Sequence, residues 1–110
     1  MFNLFGPKKY ENVSAQQFAE LMKDKNTALI DVRSPGEFSS GHIPGAKNIN
    51  LMGANFAQQI EKLDKDKTYL VYCLSGGRSS SACGAMASKG HTKLYNLKGG
   101  ISNWPGPVKK

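Results

Sequence analysis

Residues 68–79 of the chain, TYLVYCLSGGRS, decide the predicted fold. The run Thr68–Tyr72 is dominated by apolar and β-favouring residues, which predicts a buried strand leading directly into Cys73. A glycine-rich loop follows, and the small residues of Ser79–Lys89 predict a helix that packs closely on a sheet and ends at Gly90. This order places the Cys73 thiol at the carboxyl end of a parallel strand, where open α/β sheets bind ligands.

The rest of the chain alternates between short apolar runs and amphipathic stretches, as is typical of an α/β domain. Thr27–Val32 predicts a second buried parallel strand, with Asp31 near its carboxyl end. Ser14 opens a capping box with Gln17 and so predicts a helix start. Ser34, Pro35 and Glu37 place a cap residue, a first-turn proline and a glutamate at the third position, which predicts a second capped start, of a short helix. Other predicted elements are a turn-rich connector at 41–46, strands at 48–51 and 92–96, and helices at 56–63 and 99–105.

Length and composition indicate one folded domain. The chain has 110 residues, of which 39% are hydrophobic, so a multidomain or disordered protein is excluded. We expect a domain at residues 10–105, with loose tails at 1–9 and 106–110. The start of the sequence has no basic leader-like segment, and no apolar run approaches about 18 residues, so we expect no membrane partner and a cytoplasmic protein.

The charge balance favours an anionic ligand. Fifteen Lys and Arg face eight Asp and Glu, which leaves a net charge of +7. The lysines are scattered and the chain has just two arginines, so a solvated lysine-rich surface is favoured over a nucleic-acid site. Cys73 and Cys83 lie ten residues apart and both histidines are remote from them, so we expect no structural metal.

The loop after Cys73 is predicted to bind an anion and to activate the thiol. Gly76 and Gly77 allow consecutive backbone N–H groups to point at one spot, and the helix start adds partial positive charge there. The pKa of Cys73 should fall, which makes it a nucleophile rather than a buried structural thiol. Arg78 either contacts the anion, through its guanidinium or its backbone N–H, or pairs with an acidic neighbour, and the contact is favoured. Ser79 is predicted to donate to the thiolate or to cap the helix, and one role does not exclude the other.

Structural roles are predicted for four polar residues outside the loop, namely Asp31, Arg33, Glu37 and His42. Arg33 is predicted to pair with Glu37 four residues later, and Asp31 to bind neighbouring backbone. His42 is interpreted as a hydrogen-bonding structural residue rather than a base. Cys83, within a helix of small residues, is predicted to fill the core, with a resolving thiol as the alternative.

The chain resembles single-domain rhodaneses, a family of sulfurtransferases. Four segments carry the resemblance in the family's order: Asp31-Val32-Arg33 with Glu37-Phe38, the connector 41–46, the stretch Cys73-Leu74-Ser75-Gly76-Gly77-Arg78-Ser79, and Leu97-Lys98-Gly99-Gly100 with Trp104.

The resemblance implies a single rhodanese-like domain with a five-stranded parallel sheet flanked by helices. It implies that Cys73 carries sulfur as a persulfide and that residues 74–79 bind the substrate. Sulfur would pass from a small anionic donor such as thiosulfate, or from a persulfide, to a thiol, cyanide or protein acceptor, with no cofactor. A non-catalytic binding module is one alternative. A phosphatase or arsenate reductase is another, although the related phosphatases have one more residue between cysteine and arginine.

Overall fold

A five-stranded parallel sheet with helices on both faces forms the frame of the protein, as predicted. The structure is a computed structural model that describes residues 9–110. The strands are β1 (Glu11–Val13), β2 (Thr27–Asp31), β3 (Lys47–Asn48), β4 (Thr68–Tyr72) and β5 (Leu94–Leu97), in the order β1-β5-β4-β2-β3. The helices are α1 (Ala15–Leu21), α2 (Pro35–Ser40), α3 (Phe56–Glu61) and α4 (Gly77–Ser88), and a 3₁₀ helix spans Ile101–Asn103.

Strand β4 occupies the centre of the sheet, and Cys73 follows it directly. It pairs with β2 along its whole length, from Thr27 opposite Thr68 to Asp31 opposite Tyr72. On its other side it pairs with β5. Its side chains are almost completely buried, which confirms the apolar strand predicted for this run. The carboxyl ends of β2, β4 and β5 therefore meet at one edge of the sheet.

Each face of the sheet has its own apolar core, because side chains of a strand alternate between the faces. One cluster consists of strand residues on one face of the sheet together with residues of α3 and α4, and it includes both cysteines. The other packs α1 and the segment around Trp104 on the opposite face. Helix α4, which contributes to the first cluster, begins directly after the loop that follows Cys73.

Two helix starts follow directly from local sequence. The Ser14 hydroxyl accepts a hydrogen bond from the Gln17 backbone N–H, while the Gln17 side chain accepts one from the Ser14 N–H. Ser34 and Glu37 form the same reciprocal pair at the start of α2. Both capping boxes were predicted from sequence, since each needs only residues three positions apart.

Other boundaries differ from the predictions. Strand β1 was missed, because three residues with two exposed polar side chains give no apolar run. Helix α4 begins at Gly77 rather than Ser79, and β3 is shorter than the predicted strand at 48–51. Within the expected loose tail at 106–110, Lys109 exchanges two backbone hydrogen bonds of 2.8 Å with His42. Of the expected N-terminal tail, residues 1–8 lie outside the described part of the chain.

None of the helices within residues 9–110 is long and apolar enough to cross a membrane.

Candidate functional site

The loop after β4 folds back over the Cys73 sulfur. Cys73 is 1% exposed, and the Gly76 N–H donates a hydrogen bond of 3.1 Å to its Sγ. Gly76 has a φ of +108°, in the left-handed region where a side chain is strained, and this conformation turns the chain into α4. Of the two glycines predicted to shape the loop, Gly76 therefore has the conformation that requires a glycine, whereas Gly77 is the first residue of α4.

Ser79 contacts the same sulfur from the first turn of α4. Its Oγ lies 3.3 Å from Cys73 Sγ and 3.2 Å from the Gly76 carbonyl oxygen. Since Gly76 itself is the N-cap residue of α4, the capping role considered for Ser79 is wrong. Of the two roles predicted for Ser79, the hydrogen bond to the sulfur is the one found.

The two cysteines have opposite electrostatic environments. Burial raises the pKa of the Cys73 thiol, but hydrogen bonds from the Ser79 hydroxyl and from the backbone N–H groups of Ser79, Gly76 and Ser75 outweigh it, so the pKa lies below its ordinary value. Burial raises the pKa of Cys83 to about 12. Cys73 is therefore the thiol that ionises more readily, whereas Cys83 is completely buried in the core and stays protonated.

The Arg78 guanidinium is held by Glu37. Two hydrogen bonds of 2.8 and 2.9 Å join Arg78 to the two Glu37 carboxylate oxygens. Pairing with an acidic neighbour, one of the two roles considered for Arg78, is therefore correct. That neighbour lies 41 residues away along the chain, beyond the reach of any sequence spacing rule. Contact with a bound anion, through the guanidinium or the backbone N–H, stays a prediction.

The predicted ion pair between Arg33 and Glu37 is wrong. Arg33 instead binds Asp31, with its Nη2 at 2.6 Å from Asp31 Oδ2, and the pair is buried. Asp31 also accepts the backbone N–H of Arg33, at 2.9 Å, so its predicted role in binding neighbouring backbone is correct. The pairing differs because the Arg33 side chain turns inward, where its Nη2 also donates to the Gly41 carbonyl oxygen at 2.7 Å.

His42 makes contacts of a structural kind. Its imidazole stacks on the Phe38 ring with 3.8 Å between centroids, and Nδ1 lies 3.0 Å from the Phe38 carbonyl oxygen. Its backbone is paired with Lys109. Among residues 9–110, no group of three or more His, Cys, Asp and Glu side chains could hold a metal ion.

The segment that contains the glycine pair Gly99-Gly100 and the start of the 3₁₀ helix packs against the loop after Cys73. The backbone N–H groups of Ile101 and Ser102 donate to the carbonyl oxygens of Cys73 and Leu74, at 2.9 and 3.0 Å. Gly100 lies so close that a Cβ on it would be 2.3 Å from the Leu74 carbonyl oxygen. This segment therefore fixes the start of the loop.

Asn96 of β5 is a polar residue at the site that the sequence analysis missed. It is 3% exposed, and its Oδ1 accepts a hydrogen bond from the Ser79 hydroxyl. The available signal was an amide side chain in an otherwise buried strand, LYNL, where a polar group requires a partner.

We expect the Glu37 carboxylate to make the protein sensitive to acid. The side-chain hydrogen bond from Arg78 lowers the pKa of Glu37 to about 2, from 4.5 in an unfolded chain. A lowered pKa means that this contribution to stability is complete above about pH 4.5 and is lost as the pH falls toward 2. The free energy of unfolding by urea should therefore differ between wild type and Glu37→Gln at neutral pH, and this difference should shrink near pH 3, roughly midway through that window.

Glu20→Gln is the control, because Glu20 pairs with Lys23 on the exposed surface of α1. It should change stability little at either pH. A difference between wild type and Glu37→Gln that is equal at neutral and acid pH would contradict the assignment of the ion pair.

Comparison with known proteins agrees with this architecture. The family model for the rhodanese-like domain matches residues 14–106. The chain is 41% identical over 85 residues to the uncharacterized protein YqhL of Bacillus subtilis, covering 77% of this chain and 66% of YqhL. It is 32% identical to the thiosulfate sulfurtransferase GlpE of Shewanella oneidensis, covering 86% of this chain and 92% of GlpE.

Solved structures show the same fold. A rhodanese-related protein from Thermoplasma volcanium superposes with a TM-score of 0.79 and 29% identity, over 91% of this chain and 98% of that one. Together with the family match over most of the sequence, this establishes that the chain belongs to the family of rhodanese-like domains.

Proposed function

We propose that the protein is a sulfurtransferase in which Cys73 carries the transferred sulfur. The observation that supports this most directly is the pair of hydrogen bonds to Cys73 Sγ, from the Gly76 N–H and the Ser79 hydroxyl. Such donors stabilise a thiolate at neutral pH, and a thiolate is the form of cysteine that attacks sulfur. The similarity to thiosulfate sulfurtransferases is consistent with this chemistry.

The reaction proceeds in two displacements. The Cys73 thiolate attacks the outer sulfur of thiosulfate, a new S–S bond forms, and sulfite leaves with the electron pair of the broken S–S bond. The resulting persulfide anion then gives its terminal sulfur to a thiol or cyanide, and the electron pair of the second broken bond returns to Cys73 as thiolate. In each step the attacking group supplies one electron pair and the leaving group takes one, and a thiol acceptor reacts as its thiolate, so no external oxidant or reductant is needed.

The charges near Cys73 bear on the kind of donor. Leu74, the next residue, is uncharged and 47% exposed, and the charges of Arg33 and Arg78 are balanced by Asp31 and Glu37. Because no unpaired cation of this group favours a doubly charged anion, we include a persulfide of low charge beside thiosulfate as donor, and a protein thiol as acceptor. Only four residues separate Cys73 from Arg78, a loop shorter than that of the related phosphatases.

Mass spectrometry after brief exposure to thiosulfate or polysulfide tests the proposal. The peptide containing Cys73 should gain the mass of one sulfur atom, and cyanide should remove it. The peptide containing Cys83 should stay unmodified, because that thiol is buried and protonated. Absence of sulfur on Cys73 would favour a non-catalytic binding module, and hydrolysis of an aryl phosphate faster than sulfur transfer would favour a phosphatase.

A further inference from the structure

A chain of buried polar groups leads from the Cys73 sulfur into strand β5. Ser79 Oγ lies 3.3 Å from Cys73 Sγ and is also within hydrogen-bond distance of Asn96 Oδ1. The Asn96 amide nitrogen in turn donates to Asn12 Oδ1, at 2.9 Å, on the edge strand β1. Ser79 is fully buried and Asn96 nearly so. The sulfur is thus connected by hydrogen bonds through three side chains to the edge of the sheet.

The orientation of the Asn96 amide is determined by its neighbours. Its Nδ2 lies 3.3 Å from the Gly76 carbonyl oxygen, which can only accept a hydrogen bond. The nitrogen must therefore face Gly76 and Asn12, and the oxygen must face Ser79. An amide oxygen cannot donate, so the contact between Asn96 and Ser79 requires the proton of the Ser79 hydroxyl.

A serine hydroxyl has one proton to donate, and here it has three acceptors within reach: the sulfur, the Asn96 oxygen and the Gly76 carbonyl oxygen. The Gly76 oxygen already accepts from the Asn96 amide nitrogen, so the sulfur and the Asn96 oxygen are the main competitors. When the proton points at Asn96, a lone pair of Ser79 Oγ faces the sulfur, and this arrangement suits a protonated thiol. When the proton points at Cys73, it stabilises the thiolate. The Asn96 oxygen and the sulfur therefore compete for one hydrogen bond in a buried site, where such bonds are strong.

We propose that Asn96 is a positioning residue that acts on Cys73 through Ser79, by competing with the sulfur for the single hydroxyl proton. In the free enzyme the hydroxyl turns toward the thiolate. After sulfur transfer the negative charge moves to the terminal sulfur of the persulfide, Sγ becomes neutral, and the hydroxyl turns to Asn96. Only this second half of the cycle rests on the proposed sulfurtransferase function.

The other titratable groups near the loop are not altered in the test below. They are Cys83 in the core, Arg78 with its partner Glu37, Asp31 with its partner Arg33, and the exposed Lys98 that precedes the glycine pair.

The test is a titration of thiolate absorbance in the purified protein without any sulfur substrate. Asn96→Leu keeps the size of the side chain but removes the amide oxygen, so the hydroxyl is left with the sulfur and the Gly76 carbonyl oxygen. The charged thiolate is the stronger acceptor of the two. The pKa of Cys73 should fall by about 0.5 to 1 pH unit, the size of one ordinary hydrogen bond. Ser79→Ala should raise the pKa. Cys83 does not interfere, since its pKa is raised to about 12.

The decisive comparison is the double variant Ser79→Ala with Asn96→Leu. If Asn96 acts through Ser79, the double variant should titrate like Ser79→Ala alone. An equal shift from Asn96→Leu with and without the serine, or no shift with the serine present, would overturn the proposal. Should Asn96→Leu fail to fold, Asn96→Asp serves instead. Its stronger acceptor should raise the pKa of Cys73, and by more when Ser79 is present than in Ser79→Ala; equal increases would also overturn the proposal.

Discussion

Replacing Cys73 with serine should abolish sulfur transfer, with a loss of at least about a thousandfold in turnover, while the fold is retained. Serine is nearly isosteric with cysteine, but its hydroxyl remains protonated at neutral pH and does not form a persulfide. Because Cys73 is buried at the end of β4, the hydroxyl can keep the hydrogen bonds from Gly76 and Ser79. The measurement is thiosulfate-to-cyanide turnover, together with circular dichroism and the unfolding midpoint.

Cys83→Ala is the matched control for this experiment. Cys83 is the other cysteine of the chain and is completely buried in the same cluster, so its truncation costs stability, by about 1 kcal/mol, rather than chemistry. Turnover should persist in Cys83→Ala. Retained turnover in Cys73→Ser would refute the proposed nucleophile, and loss of turnover in a well-folded Cys83→Ala protein would restore the resolving-thiol alternative.

Substitution of Gly100, which is remote from Cys73 in sequence, should cause the second large loss of stability and activity. An alanine Cβ there would lie 2.3 Å from the Leu74 carbonyl oxygen and 2.6 Å from the Ser75 nitrogen. The φ of Gly100 is +65° with ψ at −166°, a combination that side chains avoid. Since the obstructing atoms are backbone, the loop itself must move. Gly100→Ala should destabilise the protein by about 2 to 4 kcal/mol, as substitutions that force a backbone shift in a packed region do, and should reduce sulfur transfer more than roughly tenfold.

Gly84→Ala provides the comparison, because no atom lies within 4 Å of a Cβ at that position of α4. Helical alanine is favoured over glycine, so this variant should be slightly more stable than wild type and fully active. Urea unfolding and turnover of both variants check the expectation. If Gly100→Ala unfolds like wild type and keeps its turnover, the glycine pair does not hold the loop.

Much of the site could be predicted because its parts lie close together in the chain. The strand Thr68–Tyr72, the cysteine after it and the glycines of the loop are consecutive, so their geometry depends on local conformation. The four segments that carry the family resemblance lie in order along the chain, and the match of the family model to residues 14–106 confirms the resemblance. The boundaries of α4 were less accurate, because Gly77 and Arg78 are also plausible loop residues.

Partners of individual side chains at the site were predicted less well. The pairing of Arg33 with Glu37 obeys a spacing rule for helices, but Arg33 precedes α2 and turns inward to Asp31. Glu37 does lie in α2, and its carboxylate reaches Arg78 of another helix instead. A spacing rule holds only when both residues belong to one helix, and the sequence does not show which way a residue before the helix points.

The sequence by itself determined the α/β class, the two capping boxes and the position of a thiol at the end of a parallel strand. Each depends on residues within one turn or one strand, so the local chain contains all the interacting groups. Only the tertiary structure decided that Arg78 pairs with Glu37 and that Ser79 meets Asn96. Those contacts exist because the strand order places β5 beside β4 and α2 beside the start of α4, which brings together groups 41 and 17 residues apart. The partners of these side chains therefore depend on the backbone register and on burial in the folded protein, and not on spacing in the sequence.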